Sequence, residues 1–216
     1  MHPPKIWQKS AAGRIIINLM TALFPQFFLQ PTLQVARGLL GMRLVRCLNG
    51  QRLSGLIVET EAYIGPADSA NHARKGRTPR TAVMFGPPGQ TYVYLVYGMH
   101  YMLNLVTEAD GFPAAVLIRA LEPVEGREIM HARRGVKREV DVANGPGKLC
   151  RALGIELSLN NWDIGWGEEL WLEPGHPLPA AAIAAGPRIG IGYAHPKDQA
   201  ALWRFWVRDN RFVSRP

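Results

Sequence analysis

Residues 42–64, MRLVRCLNGQRLSGLIVETEAYI, decide the fold. Two runs rich in branched apolar residues flank Asn49-Gly50. Asn-Gly between such runs is the strongest short hairpin signal, because both residues tolerate the left-handed backbone of a two-residue turn. MRLVRCL and RLSGLIVETEAYI therefore read as paired antiparallel strands. The pattern recurs downstream. TYVYLV (91–96) and YMLNLV flank Tyr97-Gly98-Met99-His100 as a second hairpin, and AAVLIRALEP (114–123) is a further strand. ELWLEP (169–174) and PRIGIGYA (187–194) read as short strands. LWRFWVRDNRFVS (202–214) closes the chain as a strand, a turn at Asp209-Asn210 and a tail.

Helices are few. Thr32 is a predicted N-cap for LQVARGLLG, which stops near Gly41. EGREIMHARRG (125–135) reads as a basic helix, and NGPGKLCRALGI (144–155) as a loop and then a helix with Pro146 near its start. Residues 65–81, polar and basic, are predicted as loop. Hairpins with a few separate helices give one α+β domain. The expected form is a curved, open-barrel-like antiparallel sheet with flanking helices and a protruding hairpin.

The 216 residues carry 25 Lys and Arg against 17 Asp and Glu, a net charge of +8 that favours an anionic partner such as nucleic acid. Hydrophobic residues at 47% exclude a disordered chain. The two cysteines, Cys47 and Cys150, cannot build a disulfide framework, which fits a reduced intracellular setting. Residues 15–29 form an apolar run after Lys5, Lys9 and Arg14, but Asn18, Thr21, Pro25 and Gln26 interrupt it. It is too short and polar to cross a bilayer, and no membrane partner is expected. Residues 1–20 read as an extension, with Met20 an alternative start and 21–216 as the domain.

Several residues suit chemistry. Glu59 and Glu61 interrupt an apolar strand and, with Tyr63, fall on one face by alternation. A carboxylate among apolar and aromatic neighbours acquires a raised pKa and can act as a base toward water. The ordinary alternative is a solvent-facing strand edge paired with Lys or Arg. Behind His72, the cations Arg74, Lys75, Arg77 and Arg80 make a phosphate-binding strip, unless they merely solvate a loop. Tyr92 and Tyr94 share a strand face. Tyr97, with Met99 close behind, falls at the hairpin tip, where core packing explains a large aromatic poorly and insertion into a duplex explains it well. Gly145-Pro146-Gly147-Lys148 opens a helix whose free N–H groups suit a phosphate, though it is not a P-loop. No metal-binding spacing, GxSxG elbow or complete dinucleotide fingerprint occurs, so neither metal nor cofactor is expected.

Together VARGLLG, GLIVETEAYIGPADSANHARKGRTPR, TYVYLVYGMHYMLN, AAVLIRALEP, NGPGKLCRALGI, PRIGIGYA and LWRFWVRDNRFVS resemble the alkyladenine (3-methyladenine, methylpurine) DNA glycosylases, from about Phe24 to Ser214. The resemblance implies a monofunctional enzyme that flips a damaged purine out of double-stranded DNA and hydrolyses its N-glycosidic bond. By it, Glu61 activates the water, Arg119 and the Val213 carbonyl help hold that water, and Tyr63 stacks on the flipped base. His72 and Tyr94 cover the other face of the base, Asn104 crowds the amine of normal guanine, and the Ala70 carbonyl reads the purine edge. Tyr97 is the wedge. No cofactor is implied, and the protein is expected to act as a monomer. The alternatives from the residues alone are a non-catalytic nucleic-acid-binding module, a glycoside hydrolase and a basic membrane-surface protein. The first leaves a carboxylate in an anionic groove unexplained. The second needs two carboxyls across a scissile bond, which an i,i+2 pair on one strand does not provide. The third explains neither Glu61 nor the tyrosines.

Overall fold

The computed structural model describes residues 26–165 and 167–215. The expectations for residues 1–20, and most of the 15–29 run, lie outside those residues. Among the described residues, eight strands form one antiparallel sheet that does not close: β1 (Arg43–Leu48), β2 (Gln51–Ile64), β3 (Thr91–Val96), β4 (His100–Val106), β5 (Ala114–Glu125), β6 (Leu170–Glu173), β7 (Ile183–Gly186) and β8 (Arg204–Val207). Their order is β3-β4-β5-β2-β1-β6. The long β2 forks the sheet. Its first half pairs with β1, and Glu59, Thr60 and Glu61 pair with β8, which carries β7 on its other side. The opening hairpin is as predicted, with Asn49 at φ 50° and Gly50 at φ 76°.

Helix α1 (Thr32–Gly38) packs on β2 and β5, with Thr60 Oγ1 donating to the Ala36 carbonyl at 2.8 Å. Helices α2 (Arg127–Arg134) and α3 (Pro146–Leu153) pack on each other, and α3 also lies on β4. A short α4 spans Pro196–Ala200.

Three sequence expectations change. Thr32 is the first residue of α1 and Pro31 is the cap. The Thr32 hydroxyl bonds Glu108 and Thr107 instead, so it ties the helix start to the turn after β4, and the helix ends at Gly38. PRIGIGYA is a loop, and the strand before it is the alanine-rich IAAG (183–186). The backbone there is held by side chains, with Arg188 turned inward and Gly190 at φ 80°. Residues 65–81 contain a 3-10 turn, His72–Lys75, and the stretch before it (Asp68, Ser69, Ala70, Asn71) is buried.

One irregularity in the sheet places the site. Ile57 pairs with Leu121 and Thr60 with Ile118, but between them Glu59 sits opposite Ala120 with a register step on each side. Across that step β2 changes the face it turns to the main core. Leu53 and Ile57 lie in that core before it, and Ala62 lies in it afterwards. On β5, Leu121 and then Ile118 and Val116 do the same, while Val58 and Ala120 join a separate cluster with Phe212 and Val213. Strict alternation from Ile57 would have driven Glu59, Glu61 and Tyr63 into the apolar core. The bulge turns them to the opposite face, a frequent use of bulges beside active sites.

Candidate active site

On that face lies an open cavity of about 330 Å³, lined by Tyr63, Ala70, His72, Tyr94, Tyr97, Asn104 and Arg119 together with the 189–193 loop and Pro146. Glu61 sits just behind this wall with 0% exposure. Its Oε2 accepts from the Tyr63 hydroxyl at 2.8 Å, and its Oε1 accepts from the Ile189 N–H at 2.6 Å and lies 3.2 Å from Arg119 Nη1. Burial pushes the carboxyl above its usual range, and Arg119 and the two hydrogen bonds only partly oppose this. The two glutamates do pair with arginines, but both are fully buried, so the alternative of a solvent-facing strand edge is excluded.

The aromatic wall is held from behind. Arg188 forms a bidentate pair with Asp68, at 2.6 and 2.8 Å, in which neither side chain is exposed. Its guanidinium lies 4.7 Å from the Tyr63 ring centre and 4.8 Å from that of Trp203, and it donates to the Ala62 carbonyl. Burial raises the Tyr63 hydroxyl further above its ordinary value, so it remains a donor to Glu61. Opposite, His72 meets Tyr94 edge to face at 4.6 Å, and its Nδ1 lies 3.2 Å from the Tyr92 hydroxyl. His72 keeps an exposed edge, but packing of its ring into the cavity wall strips water from it and, with Arg80 nearby, lowers its pKa to about 4, so the ring is neutral at pH 7. The Arg80 guanidinium sits 5.1 Å from the Tyr94 ring centre. Asn104 Nδ2 donates to the Tyr92 carbonyl at 3.0 Å, and the Ala70 carbonyl accepts from the Tyr193 hydroxyl at 3.1 Å.

Val213 does not line this cavity. It lines a second cavity, of about 380 Å³, with Trp206 and residues 207–211. Its neighbour Ser214 donates its N–H to Glu59 at 2.7 Å. At the hairpin tip, Tyr97 is 87% exposed and Met99 69%. Gly147 approaches His100 so closely that an added Cβ would lie 3.1 Å from it, so the Gly145–Lys148 turn abuts the tip end of this hairpin. Lys148 donates to Asn144, and Arg74 to the Ser69 carbonyl, while Lys75 and Arg77 are exposed. If these cations hold phosphates, neutralising any one of Arg74, Lys75, Arg77, Arg80 and Lys148 should weaken binding to all DNA sequences alike. Each should also lower the salt slope by about one unit. Binding isotherms at several salt concentrations check this, and five unchanged slopes would remove these residues from the footprint.

Sequence reasoning missed Asp68, Arg188, Ile189 and Tyr193. The residue types of Asp68 and Arg188 carry no pairing signal across 120 positions, and Ile189 acts through its backbone. No helix among the described residues is long and apolar enough to cross a membrane.

The sequence matches a known protein family. Residues 26–211 match the methylpurine-DNA glycosylase family. A protein of Methanocella arvoryzae is 52% identical over 197 residues, covering 91% of this chain and 97% of its own. One from Anaeromyxobacter dehalogenans is 50% identical, covering 88% and 85%, and one from Myxococcus xanthus is 50% identical, covering 91% and 95%. All three bear the provisional name of 3-methyladenine DNA glycosylase. With a family match across nearly the whole chain and relatives sharing half of its residues, this protein belongs to the methylpurine-DNA glycosylases, hydrolases of N-glycosyl bonds that act on DNA.

Proposed function

We propose that the chain excises alkylated purines, among them 3-methyladenine and 7-methylguanine, with deaminated and etheno purines as further substrates. It would do so by a water that Glu61 activates. A base inside a duplex is out of reach, so the nucleotide must be extruded. The cavity bounded by Tyr63, His72 and Tyr94 suits such a base, and electron-rich rings favour the positive charge that alkylation gives a purine. A neutral His72 adds no repulsion. The same charge makes the purine a good leaving group, so one base and one water suffice. Glu61 takes the proton, Arg119 and the Val213 carbonyl orient the water, and Asn104 and the Ala70 carbonyl select the purine. Tyr97 fills the gap in the duplex, with the basic loop, Met99, Gly145 and Lys148 on the backbone. The domain acts as a monomer inside the cell, with the DNA.

The single observation that carries this reading is a fully buried carboxylate, held by Tyr63, Ile189 and Arg119, behind an aromatic cavity in a basic chain. A non-catalytic binding module gives Glu61 no task. The sign of the pH dependence follows. Glu61 works ionised, and its folded pKa lies above the ordinary 4.5. The rate should therefore fall as pH drops, with its acid limb above that value. The raised pKa also means the folded state binds this proton more tightly than the unfolded state, so Glu61 costs stability as pH rises through that window. The check is single-turnover excision of 7-methylguanine, whose fixed charge leaves the acid range to the enzyme. A limb at or below 4.5 would contradict Glu61 as the base.

A further inference from the structure

We propose that Glu59 is a positioning residue for base excision, acting through Arg119 and through the backbone at Ser214; this rests on the reading of Glu61 as the base. Glu59 is fully buried at the irregular step between β2 and β5. It accepts four hydrogen bonds: from Arg119 Nε at 2.9 Å, Arg204 Nη1 at 3.1 Å, the Ser214 N–H at 2.7 Å and the Ser214 hydroxyl at 3.0 Å. Each partner has a second attachment that leads to the site. Arg119 turns Nε to Glu59, and this aims Nη1 at Glu61. Arg204 also donates to the carbonyls of Pro187 and Arg215, and so ties β8 both to the loop whose Ile189 N–H grips Glu61 and to the C-terminal stretch. Ser214 follows Val213 directly. Glu59 is thus the node at which three segments around Glu61 are fixed.

The charges support the same conclusion. Two buried carboxylates, Glu59 and Glu61, balance two buried guanidiniums, Arg119 and Arg204. With Glu59 neutral, both arginines would be left to Glu61 alone. Arg119 would be free to settle on it, and Glu61 would become a weaker base. The groups around Glu61 are Glu59 and Tyr63 on β2, Arg119 on β5, Arg204 on β8, Tyr94 on β3, and Arg188 and Tyr193 on the 187–194 loop.

The test is single-turnover release of 7-methylguanine from duplex DNA by the full chain, from about pH 4 to pH 8. Glu59→Gln should lower the plateau about tenfold and move the acid limb down by about one pH unit. Arg204→Gln removes the opposite charge and should move the limb up. Ser214→Ala keeps every charge and should lower the plateau with the limb in place. A limb that stays put in Glu59→Gln, or moves the same way in both charge variants, overturns the proposal and leaves Glu59 a fold-stabilising residue. Should Glu59→Gln not fold, Arg204→Gln decides: an upward limb supports the proposal and an unmoved one overturns it. Wild-type protein that releases no base at any pH would instead sink the function itself.

Discussion

Glu61→Gln should cut single-turnover base release by about 10²- to 10⁴-fold, the contribution of a positioned general base. Binding of lesion-containing duplex should persist or tighten, since the substitution removes a negative charge that repels an anionic ligand. The fold should survive. Glutamine can still accept from the Ile189 N–H, and Arg119 keeps Glu59 as its partner. Glu59→Gln should be far milder in rate, because it acts only through other groups. Quench-flow excision beside a binding isotherm separates the two effects. Wild-type-like release by Glu61→Gln would place the base elsewhere.

Tyr97→Ala should lower excision from paired duplex by roughly 5- to 150-fold, because losing about 1–3 kcal/mol of aromatic stacking shrinks the flipped population by that factor. The backbone supports this assignment. Tyr97 stands at φ 52° beside Gly98 at 68°, in a turn closed by the Met99 N–H on the Val96 carbonyl. A left-handed residue other than glycine costs about 1–2 kcal/mol, and at 87% exposure Tyr97 recovers nothing by burial. Thermal stability should therefore barely move. The loss should shrink on mispaired or unstacked lesions, where less extrusion work remains. A markedly lower melting point would make Tyr97 a structural residue. Unaffected duplex excision would move the wedge to Met99 or His100 on the same tip.

The hairpins, the helices around 127–134 and 146–153, and the exposed tip were legible because turn chemistry and period-two patterning are local. Strand alternation accounts for Tyr63 beside Glu61, whereas Ala70, His72, Asn104 and Arg119 were placed with them in one cavity only by the family resemblance, because they come from a loop and from other strands. The bulge was not legible. Nothing in LIVETEAYI says that Ile57 and Ala62 face the same core, although odd and even positions do so only across a register step. The 187–194 loop was misread because an apolar, glycine-spaced run imitates a strand. Its conformation is set by Arg188 reaching Asp68 and by Ile189 reaching Glu61, contacts more than a hundred residues apart in sequence. Thr32 was misplaced by one residue because its hydroxyl found Glu108, a tertiary partner that propensity does not see.

The most direct test of the central claim is chromatographic release of free base by the wild-type chain from a panel of duplexes, each with one lesion: 3-methyladenine, 7-methylguanine, hypoxanthine or ethenoadenine. Free alkylated purine should appear together with an abasic strand that stays intact until alkali or heat is applied, and undamaged duplex should release nothing. Tight lesion binding with no free base from any duplex would contradict the account and leave a binding module in its place.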